Sequence, residues 1–390
     1  MKKILVCCKS LKKAGTEVAC INLLKLLAKE RYDVTLLLYN KEGSLMYEVP
    51  ESVKICIVKF KDEELCRELL DGFFENRKMK SGKAKMVDLF IRIMDKINPK
   101  VNHRYKFVLN KTNTTLGDDF DYVLDFQGYG FFFTAYVAQV ILNGKKLTWV
   151  HDENVGWISY IKDYLDYYDY YCGVSVACAK KLVTVKPQYK DKIYIFPNIL
   201  DRDNIIRKSV EIIEPEFRND KITLLTVGRL EDQKGYPNAV RAAWILKQRG
   251  HKFKWYFIGD GSKREEISNQ IKEYEVEDVV ILLGAKDNPY PYIKSCTIYV
   301  QPSKHEGYGL AIAEARILEK CVVATDLDCI REQIRDGKNG YLVKYDAEAL
   351  AEILHNLFLQ KDKIRAVETE LHNENRSHSN ENRYFKYNDQ

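Results

Sequence analysis

Short apolar runs rich in Val, Ile and Leu alternate along this chain with longer segments whose apolar residues recur every three or four positions. The first kind reads as buried strands and the second as amphipathic helices. In the first half the strand candidates are Lys3–Cys8, Val34–Tyr39, Lys54–Lys59, Tyr122–Phe126, Lys146–His151, Tyr171–Ser175 and Lys192–Phe196. Between them, Glu17–Glu30 places Val18, Ile21, Leu24, Leu27 and Ala28 on one helical face. A second series runs through Ile222–Val227, Lys254–Ile258, Val279–Leu283, Thr297–Gln301, Cys321–Thr325 and Gly340–Val343, with helices expected near 236–249, 262–275, 289–295, 309–319, 330–335 and 347–360. Such alternation predicts parallel sheets flanked by helices, an α/β fold in two Rossmann-like halves. The expected domains are 1–200 and 201–375, with a polar insertion at about 61–119, a hinge over Pro197–Asn219, and a terminal arm at 376–390 returning to the first domain.

Composition agrees with two domains. The chain has 390 residues, 46% hydrophobic and 30% charged, enough for each half to bury a core. No stretch approaches the ~20 uncharged apolar residues that span a bilayer. The run at Lys2–Lys9 is too short for a signal-peptide core, so the expected location is cytoplasmic, with peripheral attachment to the inner face of a membrane as an option. Ten cysteines are scattered without a CxxC pair, which suits small buried side chains better than zinc ligands or disulfides.

The net charge of +6 is uneven: Arg77–Lys111 holds eleven Lys/Arg against Asp88 and Asp95. That density points to an anionic partner. Inside it, Lys85–Ile97 puts Met86, Phe90, Ile93, Met94 and Ile97 on one helical face, a membrane-surface pattern. A helix packed on the first domain with a solvated basic edge fits the same residues. Nucleic acid is not expected, because no binding fold accompanies the charge. Phe131–Phe133 and the tyrosines of 160–171 fit core packing better than an acceptor platform.

The chemistry concentrates in two strand–loop–helix segments. In Val227-Gly228-Arg229-Leu230-Glu231-Asp232-Gln233-Lys234-Gly235, two cations five apart leave a strand exit, where ligands bind in open α/β sheets. An Arg fork and a Lys point charge suit a diphosphate, although two solvated surface cations give the same string. In Gln301-Pro302-Ser303-Lys304-His305-Glu306-Gly307-Tyr308-Gly309-Leu310-Ala311-Ile312-Ala313-Glu314-Ala315, Gly309 and Leu310 are expected to open a helix and offer free backbone N–H groups to phosphate. Glu314, one turn inside, suits a ribose diol, and Glu306, before the glycines, suits sugar hydroxyls. The helix macrodipole favours either acid singly, but does not explain both around the glycines. Gly259-Asp260-Gly261 turns tightly after the next strand. Lys13-Ala14-Gly15-Thr16 is a weaker phosphate loop in the first half, with Thr16 a candidate N-cap and no GxGxxG fingerprint.

These motifs resemble the family 4 glycosyltransferases, retaining enzymes of the GT-B fold, in which two Rossmann-like domains face each other across a cleft. The resemblance is strongest over Ile222–Leu342, through V-G-R-L-x3-K-G, the G-D-G turn, P-S-x2-E-G-Y-G-L-x3-E-A and D-G-x-N-G-Y-L-V. In the first half it rests on Gly15, His151 and Pro197-Asn198. It implies that Arg229 and Lys234 hold the donor diphosphate, that Glu314 binds the ribose, and that Glu306 faces the transferred sugar. Gly309 and Leu310 become backbone donors to phosphate, Gly15 lies under the diphosphate, and His151 contacts the donor sugar. The implied reaction moves a hexosyl or N-acetylhexosaminyl group from a nucleotide-sugar, UDP-linked as the working case, to a saccharide acceptor, lipid-linked if the membrane reading holds. No metal is expected; the D-x-D strings Asp201-Arg202-Asp203 and Asp326-Leu327-Asp328 are short patterns common by chance. Ala14 and the Leu327-Asp328-Cys329 loop depart from the glycines usual at those places. A non-catalytic glycosyltransferase-like subunit and a nucleotide-sugar epimerase remain as alternatives.

Overall fold

The computed structural model describes all residues except 13, 75–77, 100, 118, 129, 213–216, 218–221 and 379–390. Two compact units divide the chain, Met1–Ile199 and Leu200–Gln390.

The first unit is a seven-stranded parallel sheet. Its strands are β1 (Lys3–Cys8), β2 (Asp33–Leu38), β3 (Lys54–Ile57), β4 (Tyr122–Asp125), β5 (Lys145–Val150), β6 (Tyr170–Gly173) and β7 (Ile193–Ile195), in the order β3-β2-β1-β4-β5-β6-β7. β1 and β2 are buried along nearly their whole length, as strands covered on both faces must be. Helix α1 (Gly15–Lys29) turns Cys20, Ile21, Leu23, Leu24 and Leu27 inward, close to the expected face. Ala14 occupies its N-cap position and Thr16 lies inside the helix, so the expected Thr16 cap does not form. Lys13 lies outside the described residues.

The insertion folds as three helices: α2 (Glu63–Phe74), α3 (Gly82–Ile97) and α4 (His103–Leu109). An antiparallel bridge between Phe60 and Thr112 closes its base. Leu65, Leu69, Ala84 and Ile91 form a small core of its own. Beside it the buried Arg104 pairs with Asp88 and donates to the Leu69 carbonyl at 3.1 Å. The remaining helices of this unit are α5 (Phe132–Gln139), α6 (Ile158–Leu165) and α7 (Val176–Val185). Phe131, Phe132 and Phe133 are buried, with edge contacts to Tyr39 and Phe60, so they belong to the core. Tyr164, Tyr168 and Tyr171 are buried too, whereas Tyr167 is exposed; the side chain of Tyr160 lies outside the described residues.

The second unit begins with α8 (Arg202–Lys208). The aperiodic, charged stretch expected as a hinge is therefore partly helical, capped by Asp201 and tied by Asn288 donating to the Lys208 carbonyl at 2.8 Å. Pro215 and Asn219 of that stretch lie outside the described residues. The sheet is six-stranded and parallel: β8 (Ile222–Val227), β9 (Phe253–Ile258), β10 (Val280–Gly284), β11 (Ile298–Gln301), β12 (Cys321–Thr325) and β13 (Tyr341–Val343), ordered β10-β9-β8-β11-β12-β13. Around it lie α9 (Tyr236–Gln248), α10 (Arg264–Glu273), α11 (Tyr290–Ser295), α12 (Leu310–Ile317), α13 (Asp328–Arg331), α14 (Ala347–Leu359) and α15 (Lys361–His378). α15 includes residues 376–378 of the expected arm; the rest of the arm lies outside the described residues. Its Ile364, Val367 and Leu371 join the second unit's core. All ten cysteines are free, and all but Cys56 are buried.

Candidate active site

The order of the second sheet sets the site. From β8 the chain steps outward through β9 and β10, then returns to lay β11 against β8 and continues the other way. β8 and β11 therefore flank the switch point of the sheet, at whose carboxyl side ligands bind in open α/β folds. The two signature segments are the loops leaving these strands.

They are fastened to each other. The Lys304 N–H donates to the Gln233 carbonyl at 2.8 Å, and Gln233 Nε2 donates to the His305 carbonyl at 3.1 Å. Gly235 sits left-handed at φ 68°, and a Cβ there would lie 1.8 Å from the Pro302 carbonyl oxygen. Only glycine lets the loops approach this closely.

Lys234 and Glu306 meet across that contact. Lys234 Nζ lies 2.6 Å from Glu306 Oε1, and both side chains are largely buried. Ser303 Oγ donates to the same oxygen at 2.7 Å, and Gln301 Nε2 approaches it at 3.5 Å. Gln301 is oriented in turn by the Tyr299 hydroxyl, which donates to its Oε1 at 2.7 Å. All these bonds fall on Oε1; Oε2 accepts none from the described residues. Lys234 carries three N–H donors and can hold Glu306 and a phosphate oxygen together. The Arg229 guanidinium is exposed, with no hydrogen bond or ion pair among the described residues.

α12 starts at Leu310 with Gly309 as its left-handed cap residue at φ 83°. The first intrahelical bonds come from the N–H groups of Ile312 and Ala313 to the Gly309 carbonyl. The N–H groups of Gly309, Leu310 and Ala311 have no partner among the described residues, an arrangement that binds anions. One turn on, Glu314 is buried and accepts from the Tyr290 hydroxyl at 3.2 Å. Burial pushes its carboxyl up to about 7, against a smaller lowering by Tyr290.

Within the first unit, Gly15 opens α1 after β1, and His151 follows β5. His151 is buried; its Nε2 donates to the Phe126 carbonyl at 2.6 Å, and its ring stands edge-on to Phe126. Burial holds it down to about 4, so the imidazole is neutral near pH 7. The Phe126 carbonyl it bonds adjoins Asp125, which sequence reasoning missed. Asp125 is buried and accepts from Thr134 Oγ1 at 2.6 Å, Thr148 Oγ1 at 2.8 Å, the Gly128 N–H and Tyr168. Burial raises it to about 6 against the pull of those donors. Its one sequence signal was an acid ending an apolar strand.

Ser303, Gln301 and Tyr290 were also missed as support for the two glutamates; Ser303 and Gln301 stood inside the quoted segment without a role. The D-x-D strings have other tasks. Both oxygens of Asp326 are taken by Arg331, at 2.6 and 2.7 Å, and Asp201 caps α8.

Residues 208–371 match the family described as Glycosyl transferases group 1. Over 175 residues the chain is 33% identical to the N-acetylgalactosamine-N,N'-diacetylbacillosaminyl-diphospho-undecaprenol 4-alpha-N-acetylgalactosaminyltransferase of Campylobacter jejuni, covering 45% of this chain and 46% of that protein. It is 27% identical over 234 residues to the amylovoran biosynthesis glycosyltransferase AmsK of Erwinia amylovora, 56% of each chain. The chain thus spans about half the length of these curated relatives. In three dimensions it is similar to Anabaena Alr3699/HepE in complex with UDP and glucose, with a TM-score of 0.69 at 16% identity over 97% of this chain and 95% of that one. The fold is GT-B, and residues 208–371, which hold the Lys234–Glu306 pair and the open end of α12, are matched by the group 1 glycosyl transferases.

Proposed function

We propose that the chain is a retaining glycosyltransferase that moves a hexosyl or N-acetylhexosaminyl group from a nucleotide-sugar, UDP-linked as the working donor, to a lipid-linked saccharide in polysaccharide synthesis. The observation that carries this is the Lys234–Glu306 pair, set beside a helix whose first N–H groups are open. As the bond to the nucleotide diphosphate breaks, negative charge builds on the bridging oxygen. Lys234, the exposed Arg229 and the N–H groups of Gly309 and Leu310 stabilise that charge, which is electrostatic catalysis by groups already in place. Glu306, held through Oε1, offers Oε2 to the hydroxyls of the transferred sugar; Glu314 takes the ribose diol. His151 and Gly15, in the first unit, keep the donor-side roles that the family resemblance implies. The cations supply the charge that a metal provides elsewhere, so turnover proceeds without one. The Campylobacter jejuni relative is named for transfer to a diphospho-undecaprenol-linked saccharide, which supports the acceptor class.

The test separates binding from chemistry. Glu306→Ala abolishes transfer and leaves nucleotide-sugar bound, because Lys234 is then released to the phosphates. Lys234→Ala weakens both, with a loss in binding of about 1.5–3 kcal/mol, roughly ten- to a hundredfold in Kd. Normal turnover by the Glu306 variant sinks the assignment.

A further inference from the structure

Helix α3 carries two apolar faces, and only one is used by the fold. Ala84 and Ile91 are buried against Leu65 and Leu69, with Val87 beside them. The helix is fixed in that orientation. Ser81 caps it, its own N–H donates to Glu68 at 2.8 Å, and Asp88 is buried on Arg104. The opposite face shows Met86, Leu89, Phe90, Ile93 and Ile97, each 47–71% exposed. At about 100° per residue these five fall within an arc of roughly 100°. Lys85, Arg92 and Lys96 lie along one border of that arc and are exposed; Lys83, along the other, is ion-paired with Asp62 at 2.6 Å.

The acids of this helix are spent internally, Asp88 on Arg104 and Arg92, and Asp95 on His103. No described carboxylate pairs with Lys85 or Lys96. The outer face is thus apolar at its centre and cationic along one border, where Lys85 and Lys96 stand. An aqueous protein face of this kind is costly, and an anionic bilayer surface matches both parts: side chains enter the acyl boundary while lysines reach the headgroups. Arg77 and Lys100 of the same basic segment lie outside the described residues and are not needed.

We propose that α3 docks this chain on an anionic membrane, lying in the interface with Met86, Leu89, Phe90, Ile93 and Ile97 inserted and Lys85, Arg92 and Lys96 on the headgroups. No helix among the described residues is long and apolar enough to cross a membrane, so attachment of this kind is peripheral. The inference needs no nucleotide-sugar and is measured without one, so its failure leaves the glycosyltransferase reading untouched.

The experiment is co-sedimentation of the full chain with vesicles of phosphatidylcholine alone and of phosphatidylcholine with 30% phosphatidylglycerol, about that fraction being enough to make the surface anionic. Each is run at low and high salt. The expected result is binding to the anionic vesicles, at least tenfold weaker on neutral ones and reduced by salt. Phe90→Glu with Ile93→Glu removes it, and Lys85→Glu with Lys96→Glu weakens it more than fivefold on anionic vesicles. All four positions are exposed, and an unchanged circular dichroism melt checks folding. Three results overturn the proposal: no sedimentation with either vesicle, equal binding by the Phe90/Ile93 variant, or a soluble dimer that this variant dissociates, which would make the face an interface between two copies.

Discussion

At the scale of single residues, Glu314 makes a prediction that geometry alone would not. Its carboxyl is buried, receives one hydrogen bond from Tyr290, and is raised to about 7. A ribose diol donating to it favours the charged form, so donor binding must release a proton wherever the free protein holds one. Affinity for a nucleotide-sugar, whose diphosphate does not titrate in this range, should therefore rise from pH 5.5 to pH 8. Calorimetry at both pH values, in two buffers of different ionisation enthalpy, reads the proton directly. Glu314→Gln should flatten the dependence. The sign for stability runs the other way: a raised pKa gives stability fully present below about 4.5 and lost as pH rises through about 7. A pH-independent affinity in the wild type would remove Glu314 from the ribose.

The same scale separates what the sequence carries of the candidate site from what it does not. Glu306, Gly309 and Glu314 stand in one short segment and Lys234 in another, and contacts between the loops after β11 and β8 bring the two together. The supporting residues did not announce themselves. Ser303 is a common loop residue and Gln301 a polar end to an apolar strand. Each acquires meaning only when the fold aims it at Oε1 of Glu306.

At the scale of elements, the parallel strands were legible because burial on both faces leaves continuous apolar runs. Helix α15 was not legible, for a physical reason. Among the described side chains of Lys361–His378, only Ile364, Val367 and Leu371 enter the core. Ion pairs with residues distant in sequence complete its attachment: Lys320 to Glu368, Arg316 to Glu374, and Arg335 to Glu370 and Glu374. Asn339 Nδ2 also donates to Glu374, at 2.9 Å. Periodicity within the segment carries none of this. Glu374→Ala leaves Arg316, a half-buried cation whose pKa burial already lowers, without its carboxylate. The expected loss is about 1–3 kcal/mol, below that of a fully buried pair because both groups retain some solvent. A urea titration reads it; an unchanged midpoint would show that the helix is held by its apolar residues alone.

For the whole molecule, two units with nearly the same strand order carry unequal information. The second unit's candidate site comes from two short segments, distant in sequence, whose loops leave neighbouring strands β8 and β11. The first unit's candidates are dispersed, Gly15 at the start of α1, Asp125 at the end of β4 and His151 just after β5, and its insertion reads as polar until α2, α3 and α4 are seen around their own core. Such dispersed positions leave no string to recognise, which is why the two segments of the second unit stood out in the sequence and Asp125 did not.

The central claim is that the second unit binds a nucleotide-sugar through Lys234, the open end of α12 and Glu314. Its most direct test is a thermal-shift panel of UDP-, GDP- and ADP-sugars on the wild type and on Lys234→Ala and Glu314→Gln. A ligand that binds only the folded protein stabilises it by about 2.7 kcal/mol at a hundredfold excess over Kd. The account predicts that one base class raises the melting temperature of the wild type, and that both variants lose most of that rise. It is contradicted if no nucleotide-sugar shifts the melt, or if the variants shift as far as the wild type.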